Sequence, residues 1–267
     1  LIFACEKGHV DVVSVLLKQK NILVNQAGKE RNTPLITACE NGHVDVVQLL
    51  LARKNIKINQ ADQSGITPLS TAIALGREHI VQLLLAKKEI QINQAANNGA
   101  TPLFIACQQG HVKVVNALLT KKEIQINQGA NNGATPLLMA CQQGHVKVVN
   151  VLLARKEIQI NQGDKKGYTP LSVAIKNGRA DIVQLLLTSK DLNINKKIKG
   201  STPLEIARAH KHTEIVSLLQ QHSGVSMRST KPRKKLRKKM KSAIASGDAD
   251  KVKTLLDSGM IGVNDVI

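Results

Sequence analysis

The tripeptide Thr-Pro-Leu begins at Thr33, Thr67, Thr101, Thr135 and Thr169, a spacing of 34 residues, and again at Thr202 after 33. Its whole neighbourhood returns with it, as in Thr101-Pro-Leu-Phe-Ile-Ala-Cys-Gln-Gln-Gly-His-Val-Lys-Val-Val-Asn-Ala-Leu-Leu119. A period in this range specifies a solenoid, in which each unit buries its apolar face only against its neighbours. Such an architecture points to a binding scaffold rather than to an enzyme.

Residues 99–132 make one unit. Thr101 is placed to cap a helix whose first position is Pro102, where a missing N–H costs nothing. Leu103, Ile105 or Ala106, and Cys107 supply a short apolar face, and Gly110 ends the helix after about two turns. Val112, Val114, Val115, Leu118 and Leu119 give a second, longer apolar stripe. Lys121 and Lys122 follow it, where cations meet the negative end of the helix dipole. Ile124, Ile126, Asn127 and Gln128 carry an extended segment into the next turn. The unit reads as helix, short turn, helix, long loop.

Phe3, Phe104 and Tyr168 are the only aromatics, so Leu, Ile, Val and Ala must build the core, which suits thin helical layers. No apolar stretch approaches the roughly 18 residues a membrane span needs. Cys5, Cys39, Cys107 and Cys141 share one repeat position. Adjacent layers stand about 10 Å apart, too far for a disulfide, which needs Cα atoms within about 7 Å. They read as small buried thiols of a reducing, intracellular compartment. Ala4-Cys5-Glu6-Lys7-Gly8-His9 matches Ala38-Cys39-Glu40-Asn41-Gly42-His43, so the chain opens part-way into a unit. The expectation is that the protein's start, with any targeting signal, lies upstream.

The motifs Gly-x-Thr-Pro-Leu-x-x-Ala and Gly-His-x-x-Val-Val-x-x-Leu-Leu, with an asparagine at Asn59, Asn93, Asn127, Asn161 and Asn195, resemble the ankyrin repeat family over nearly the whole chain. The resemblance implies an all-α ankyrin-repeat solenoid of about eight stacked helix-turn-helix units, the first truncated. Two departures stand out. The histidine that usually follows Thr-Pro-Leu is Ile36, Ser70, Phe104, Leu138, Ser172 or Glu205 here, so its hydrogen bonds must be replaced. Each loop also carries one residue more than the commonest 33-residue unit.

The family's ligands usually bind the concave side made by loop tips and first helices. Carried onto this sequence, the candidate tip residues are Asp62, Gln63, Ser64, Asn97, Asn98, Asn131, Asn132, Lys165 and Lys166. Beside them lie Leu75, Gln108, Gln109, Gln142, Gln143 and Lys176 at the ends of first helices, and Tyr168 after the last of these tips. The middle of this surface is neutral and amide-rich, and positive charge gathers toward Lys165, Lys166, Lys176, Lys196, Lys197 and Lys199. Tyr168 and Leu75 are its obvious hydrophobic candidates. The amides either recognise the backbone of an extended polypeptide or simply solvate the surface. The near-identical repeats and Ile-Asn-Gln connectors also resemble ankyrin proteins of intracellular bacterial pathogens. That resemblance implies a secreted effector with a protein partner in a eukaryotic host cell.

Beyond Thr202 the pattern degrades, with Lys211 in a glycine position. Met240, Ala243, Gly247, Val252, Leu255 and Leu256 then repeat the unit's spacing. Residues 1–222 are expected to form the repeats, 223–240 a basic connecting segment with the start of a helix, and 241–267 a terminal helix pair. The alternative is a linker at 223–235 with a small separate element from Leu236.

The formal charge is +19. Lys231, Arg233, Lys234, Lys235, Arg237, Lys238, Lys239 and Lys241 supply eight cations in eleven residues without an acid. The run resembles a nuclear import signal, and such runs also bind nucleic acid or acidic lipid. The alternative is a solvated helix face, and a helix starting near Pro232 argues against the extended form an import receptor needs. Nucleic-acid binding through this segment is the competing function; no zinc-finger spacing or aromatic platform accompanies it.

His9, His43, His111 and His145 recur behind the turn glycine, facing the same way in separate layers, so a turn-stabilising hydrogen bond fits them better than zinc. No phosphate loop, nucleophile elbow or Cys-His pair is present in the sequence. No metal, cofactor or catalytic residue is expected.

Overall fold

The computed structural model describes residues 1–222, 240–249 and 252. It divides into two compact units, Leu1–Ile215 and Val216–Ile267. Helices come in pairs, numbered in chain order: α1 (Ile2–Lys7) and α2 (Val10–Leu17), α3 (Pro34–Asn41) and α4 (Val44–Leu51), α5 (Pro68–Ala74) and α6 (Glu78–Leu85), α7 (Pro102–Gln109) and α8 (Val112–Leu119). They continue as α9 (Pro136–Gln143) and α10 (Val146–Leu153), α11 (Pro170–Lys176) and α12 (Ala180–Leu187), and α13 (Pro203–Ala209) and α14 (Thr213–His222), the last running across the division. Within the first unit each odd-numbered helix packs on the next odd one from α1 to α13, and each even-numbered helix on the next even one from α2 to α12. The core is the apolar sheet of side chains between these two rows. Leu50, Leu84, Leu118, Leu152 and Leu186 run down it at one register position with no exposed surface. Burying each such side chain contributes about 2 kcal/mol.

Each first helix starts as its sequence dictates. The Thr33, Thr67, Thr101, Thr135, Thr169 and Thr202 hydroxyls accept the N–H three residues on, at 3.1–3.3 Å, and proline opens the helix. Where the family's histidine is missing, Ser172 and Glu205 complete capping boxes by accepting the Thr169 and Thr202 N–H groups, and the Thr67 hydroxyl donates to Ser70. Ile36, Phe104 and Leu138 instead fill the position with buried apolar bulk.

Three columns of side-chain bonds fasten layer to layer. Asn59, Asn93 and Asn127 each donate Nδ2–H to the carbonyl of Glu89, Glu123 or Glu157 in the next loop, and accept the Gln91, Gln125 or Gln159 N–H on Oδ1. Asn25 and Asn161 do the same at the flanking junctions. Lys87, Lys121 and Arg155 donate to the Leu51, Leu85 and Leu119 carbonyls. These cations, expected to serve their own helix ends, cap the second helix of the preceding layer.

The turn histidines also reach further than expected. His43 and His145 bond the Glu6 and Gln108 carbonyls one layer back, and Arg77 and Arg179 act alike on Glu40 and Gln143. The fastening is between layers, not within a turn. His111 is the exception, its Nε2 buried without a partner among the described residues. A side chain at Gly110 would collide with the His145 ring 2.5 Å away, and its φ of +77° also demands glycine.

In the second unit, residues 240–245 are helical, with Met240 and Ala243 buried and Lys241 exposed. Gly247 (φ +68°) ends the helix, and the Asp248 N–H bonds the Ala243 carbonyl. The expected connector at 223–240, apart from Met240, and most of the expected terminal helix pair at 241–267 lie outside the described residues.

Candidate protein-interaction face

The loop tips precede the capping threonines and stand beside the first-helix ends. Each tip is a turn closed by its own residues. Asp62 Oδ1 accepts the Ser64 and Ile66 N–H groups at 2.8 Å, and Asp164 Oδ1 accepts those of Lys166 and Tyr168. Asn98 and Asn132 accept from Ala100 and Ala134. Neighbouring tips are joined through the backbone: the Gln63, Asn97, Asn131 and Lys165 N–H groups donate to the Glu30, Ser64, Asn98 and Asn132 carbonyls at 2.9–3.0 Å. Asn97 and Asn131 add Nδ2–H bonds to the Gln63 and Asn97 carbonyls. The run ends at the next tip, where the Ile198 N–H turns back to the Ser201 carbonyl.

The amides of the tips therefore divide by task. Asn97 and Asn131 spend Nδ2, and Asn98 and Asn132 spend Oδ1, on holding the surface together. Gln63, Ser64, Gln109, Gln142 and Gln143 are exposed, Gln108 is half-buried, and Leu75 presents 49% of its surface. Tyr168, the other hydrophobic candidate, is half-buried. The Lys176 and Lys199 ammonium groups lie over its ring at 5.2 and 5.5 Å from the centroid. Lys165, Lys166, Lys176, Lys197 and Lys199 are exposed. Of the basic run at 231–241, only Lys241 falls among the described residues, exposed on the helix at 240–245; Lys231, Arg233, Lys234, Lys235, Arg237, Lys238 and Lys239 lie outside them.

A feature the sequence did not announce lies on the opposite, second-helix side. A groove of about 660 Å³ runs over α10 and α12, lined by Val112, Val146, Val151 and Leu185 with Lys147, Asn150, Asp181, Gln184 and Thr188. The half-buried valines of the second-helix stripe were its one signal.

Burial pushes the Cys5 thiol up to about 11 and the Cys39, Cys107 and Cys141 thiols higher still, so none is a thiolate nucleophile. All four are free. Among the described residues no three His, Cys, Asp or Glu side chains gather to hold a metal, and no helix is long and apolar enough to cross a membrane.

The family model described as ankyrin repeats (3 copies) matches the chain three times, over residues 1–62, 55–130 and 123–198. The chain belongs to the ankyrin-repeat family. The ankyrin repeat domain of human ASB11 is similar in structure, with a TM-score of 0.69 at 25% identity, covering 83% of this chain and 96% of that one. EF0377, an ankyrin repeat protein, gives a TM-score of 0.67 at 24% identity, covering 75% of this chain and 99% of that one. No curated protein matches the sequence. Ankyrin-repeat domains of this kind are non-catalytic protein–protein interaction scaffolds, and this chain is built as one.

Proposed function

We propose that this scaffold holds a protein partner on the surface formed by the loop tips and first-helix ends from Asp62 to Lys176. The observation that carries the reading is the union of four successive tips by backbone hydrogen bonds. The frame is fixed before any partner arrives, so little ordering cost falls on binding, while Gln63, Ser64, Leu75, Gln109 and Gln143 remain exposed upon it. Leu75 supplies the apolar contact and the glutamines its polar surround. The likeness of the Ile-Asn-Gln connectors to those of intracellular pathogens makes a eukaryotic host protein the first partner to seek.

The test is affinity capture from nuclease-treated eukaryotic lysate. The expected result is a discrete protein held by the native chain and by a chain with the charges of 231–241 neutralised. It should be lost from L75D/Q109R/Q143R and kept by V151D on the opposite side. Loss of every partner on neutralising 231–241 would instead move the function to the basic segment and to nucleic acid or acidic lipid.

A further inference from the structure

One register position on the interaction face changes sign along the stack. The residue seven places after each helix-capping threonine, or its equivalent in the first layer, is Glu6, Glu40, Ala74, Gln108, Gln142, Lys176 and Ala209 in turn. The third tip residue runs from Glu30 through Ser64, Asn98 and Asn132 to Lys166 and Lys199. These positions carry Glu in the first layers, where Lys7 pairs with Glu6 and Lys29 and Arg31 flank Glu30, neutral residues in the middle and Lys toward the other end.

The carboxylates of the basic end form no ion pair with its lysines among the described residues. Asp164 accepts the Lys166 and Tyr168 N–H groups, and Glu205 accepts the Thr202 N–H at 2.8 Å and feels Lys197 and Arg208 only through space. The other acids of these layers, Asp181, Asp191 and Glu214, belong to α12, to the loop after it and to α14. Lys165, Lys166, Lys176, Lys197 and Lys199 form no ion pair among the described residues. Two of these ammonium groups, those of Lys176 and Lys199, each stand over the Tyr168 ring, whose π system attracts cations.

We propose that the layers of α11 and α13 seat an acidic stretch of the partner polypeptide, its Asp and Glu side chains meeting Lys166, Lys176 and Lys199, with Tyr168 as the positioning residue beneath them. The polarity of the face fixes the direction: the acidic stretch lies over Lys199 and the partner's neutral part runs toward Leu75, away from Glu40. A nucleic acid fits less well. Its uniform charge, extended along the stack, meets Glu40, and Lys166, Lys176 and Lys199 offer no planar fork of the kind with which arginine grips phosphate. A carboxylate-rich peptide asks only for closely spaced point charges. This inference rests on the protein-binding reading above and names the chemistry of part of that site.

The probe is a fluorescein-labelled twelve-residue peptide of alternating Glu and Ser, compared with its Gln-Ser counterpart and a twelve-nucleotide oligothymidylate. Fluorescence anisotropy is read at 50 and 200 mM salt, on a full-length chain with the charges of 231–241 neutralised. The Glu peptide should bind at least tenfold more tightly than the Gln peptide. K166Q/K176Q/K199Q should abolish that preference, with its fold checked by circular dichroism, and K147Q on the second-helix side should leave it intact. Y168F should keep binding and Y168L, which retains apolar bulk without a π face, should weaken it several-fold, a split that a merely structural role for the ring would not give. Equal binding of the two peptides, or a preference that survives the triple substitution, overturns the proposal. Tighter binding of the oligonucleotide, lost in the same triple variant, overturns it in favour of nucleic acid. If the lysate partner is lost from L75D/Q109R/Q143R yet kept by K166Q/K176Q/K199Q, the scaffold reading stands and the acidic-peptide reading falls.

Discussion

Between Asp62 and Lys165 every loop tip is bonded to its neighbour, whereas the tip at 197–199 bonds only to itself. The same two regions differ in chemistry. The middle layers carry Asn and Gln, and the layers of α11 and α13 carry lysines that form no ion pair among the described residues. Cohesion and charge have thus been separated along one surface. Short amides satisfy backbone groups of the adjacent layer and allow close approach, while lysines stand off and leave the tip to close by other means. Gly167, which faces the tip at 197–199, reports the difference directly: an added Cβ meets nothing within 4 Å there, but at Gly99 it lies 2.5 Å from the Asn131 N.

That contrast breaks most visibly at these glycines. Gly99→Ala must separate two backbones as well as strain a positive φ, and should cost about 3 kcal/mol, where Gly167→Ala should cost about 1 kcal/mol from φ alone. Urea denaturation of both variants measures the gap, and equal losses would dissolve the distinction between tied and untied tips. Next in size is the connector side. Asn127→Ala removes both bonds of a staple and should cost about 2 kcal/mol, read as a fall in the thermal unfolding midpoint.

Lys211 sharpens the comparison in the opposite direction. It holds φ +59° in the position where earlier layers use glycine, so Lys211→Gly should stabilise by about 1 kcal/mol, read as a rise in urea midpoint. The smallest effect is a pH dependence. The Thr202 N–H, then its hydroxyl, and more weakly Lys197 and Arg208, hold the Glu205 carboxyl below its ordinary value. A lowered folded-state pKa adds stability above the unfolded value, and this is lost as pH falls through the folded one. The advantage of the native chain over Glu205→Gln should therefore shrink on acidification below the usual glutamate range, and an NMR titration should place the Glu205 midpoint under that of a free glutamate.

Much of this was legible in the chain because a repeat displays its rules several times. Threonine caps, proline starts and the buried leucine column follow from Thr101, Pro102 and Leu118 by helix physics alone. The partners of the fasteners were not legible. A histidine after a turn glycine looks local, and only the stacking distance shows His145 reaching the Gln108 carbonyl of the preceding layer. Lys121 misleads for the same reason, since its own helix end and the one before it are equally near in pattern. On the candidate face, exposure followed from position, but the division of Asn97 and Asn98 between holding and presenting did not. Nor did the ring of Tyr168 announce that it would lie under two lysines, one of them 31 residues away.

The fasteners have one more property: their partners sit a whole unit apart and are nearly the same in every middle layer. If residues 101–134 were excised, the Lys165 N–H would meet the Asn98 carbonyl in place of that of Asn132. Asn93 would find Glu157 and Gln159 where it now finds Glu123 and Gln125, and His145 would face a main-chain carbonyl as before. Copying the same segment would be equally silent at both seams. The number of middle layers, and with it the distance between the Glu40 and Lys176 ends of the face, is therefore free to change by duplication or loss of a single stretch of gene, with no compensating substitution required.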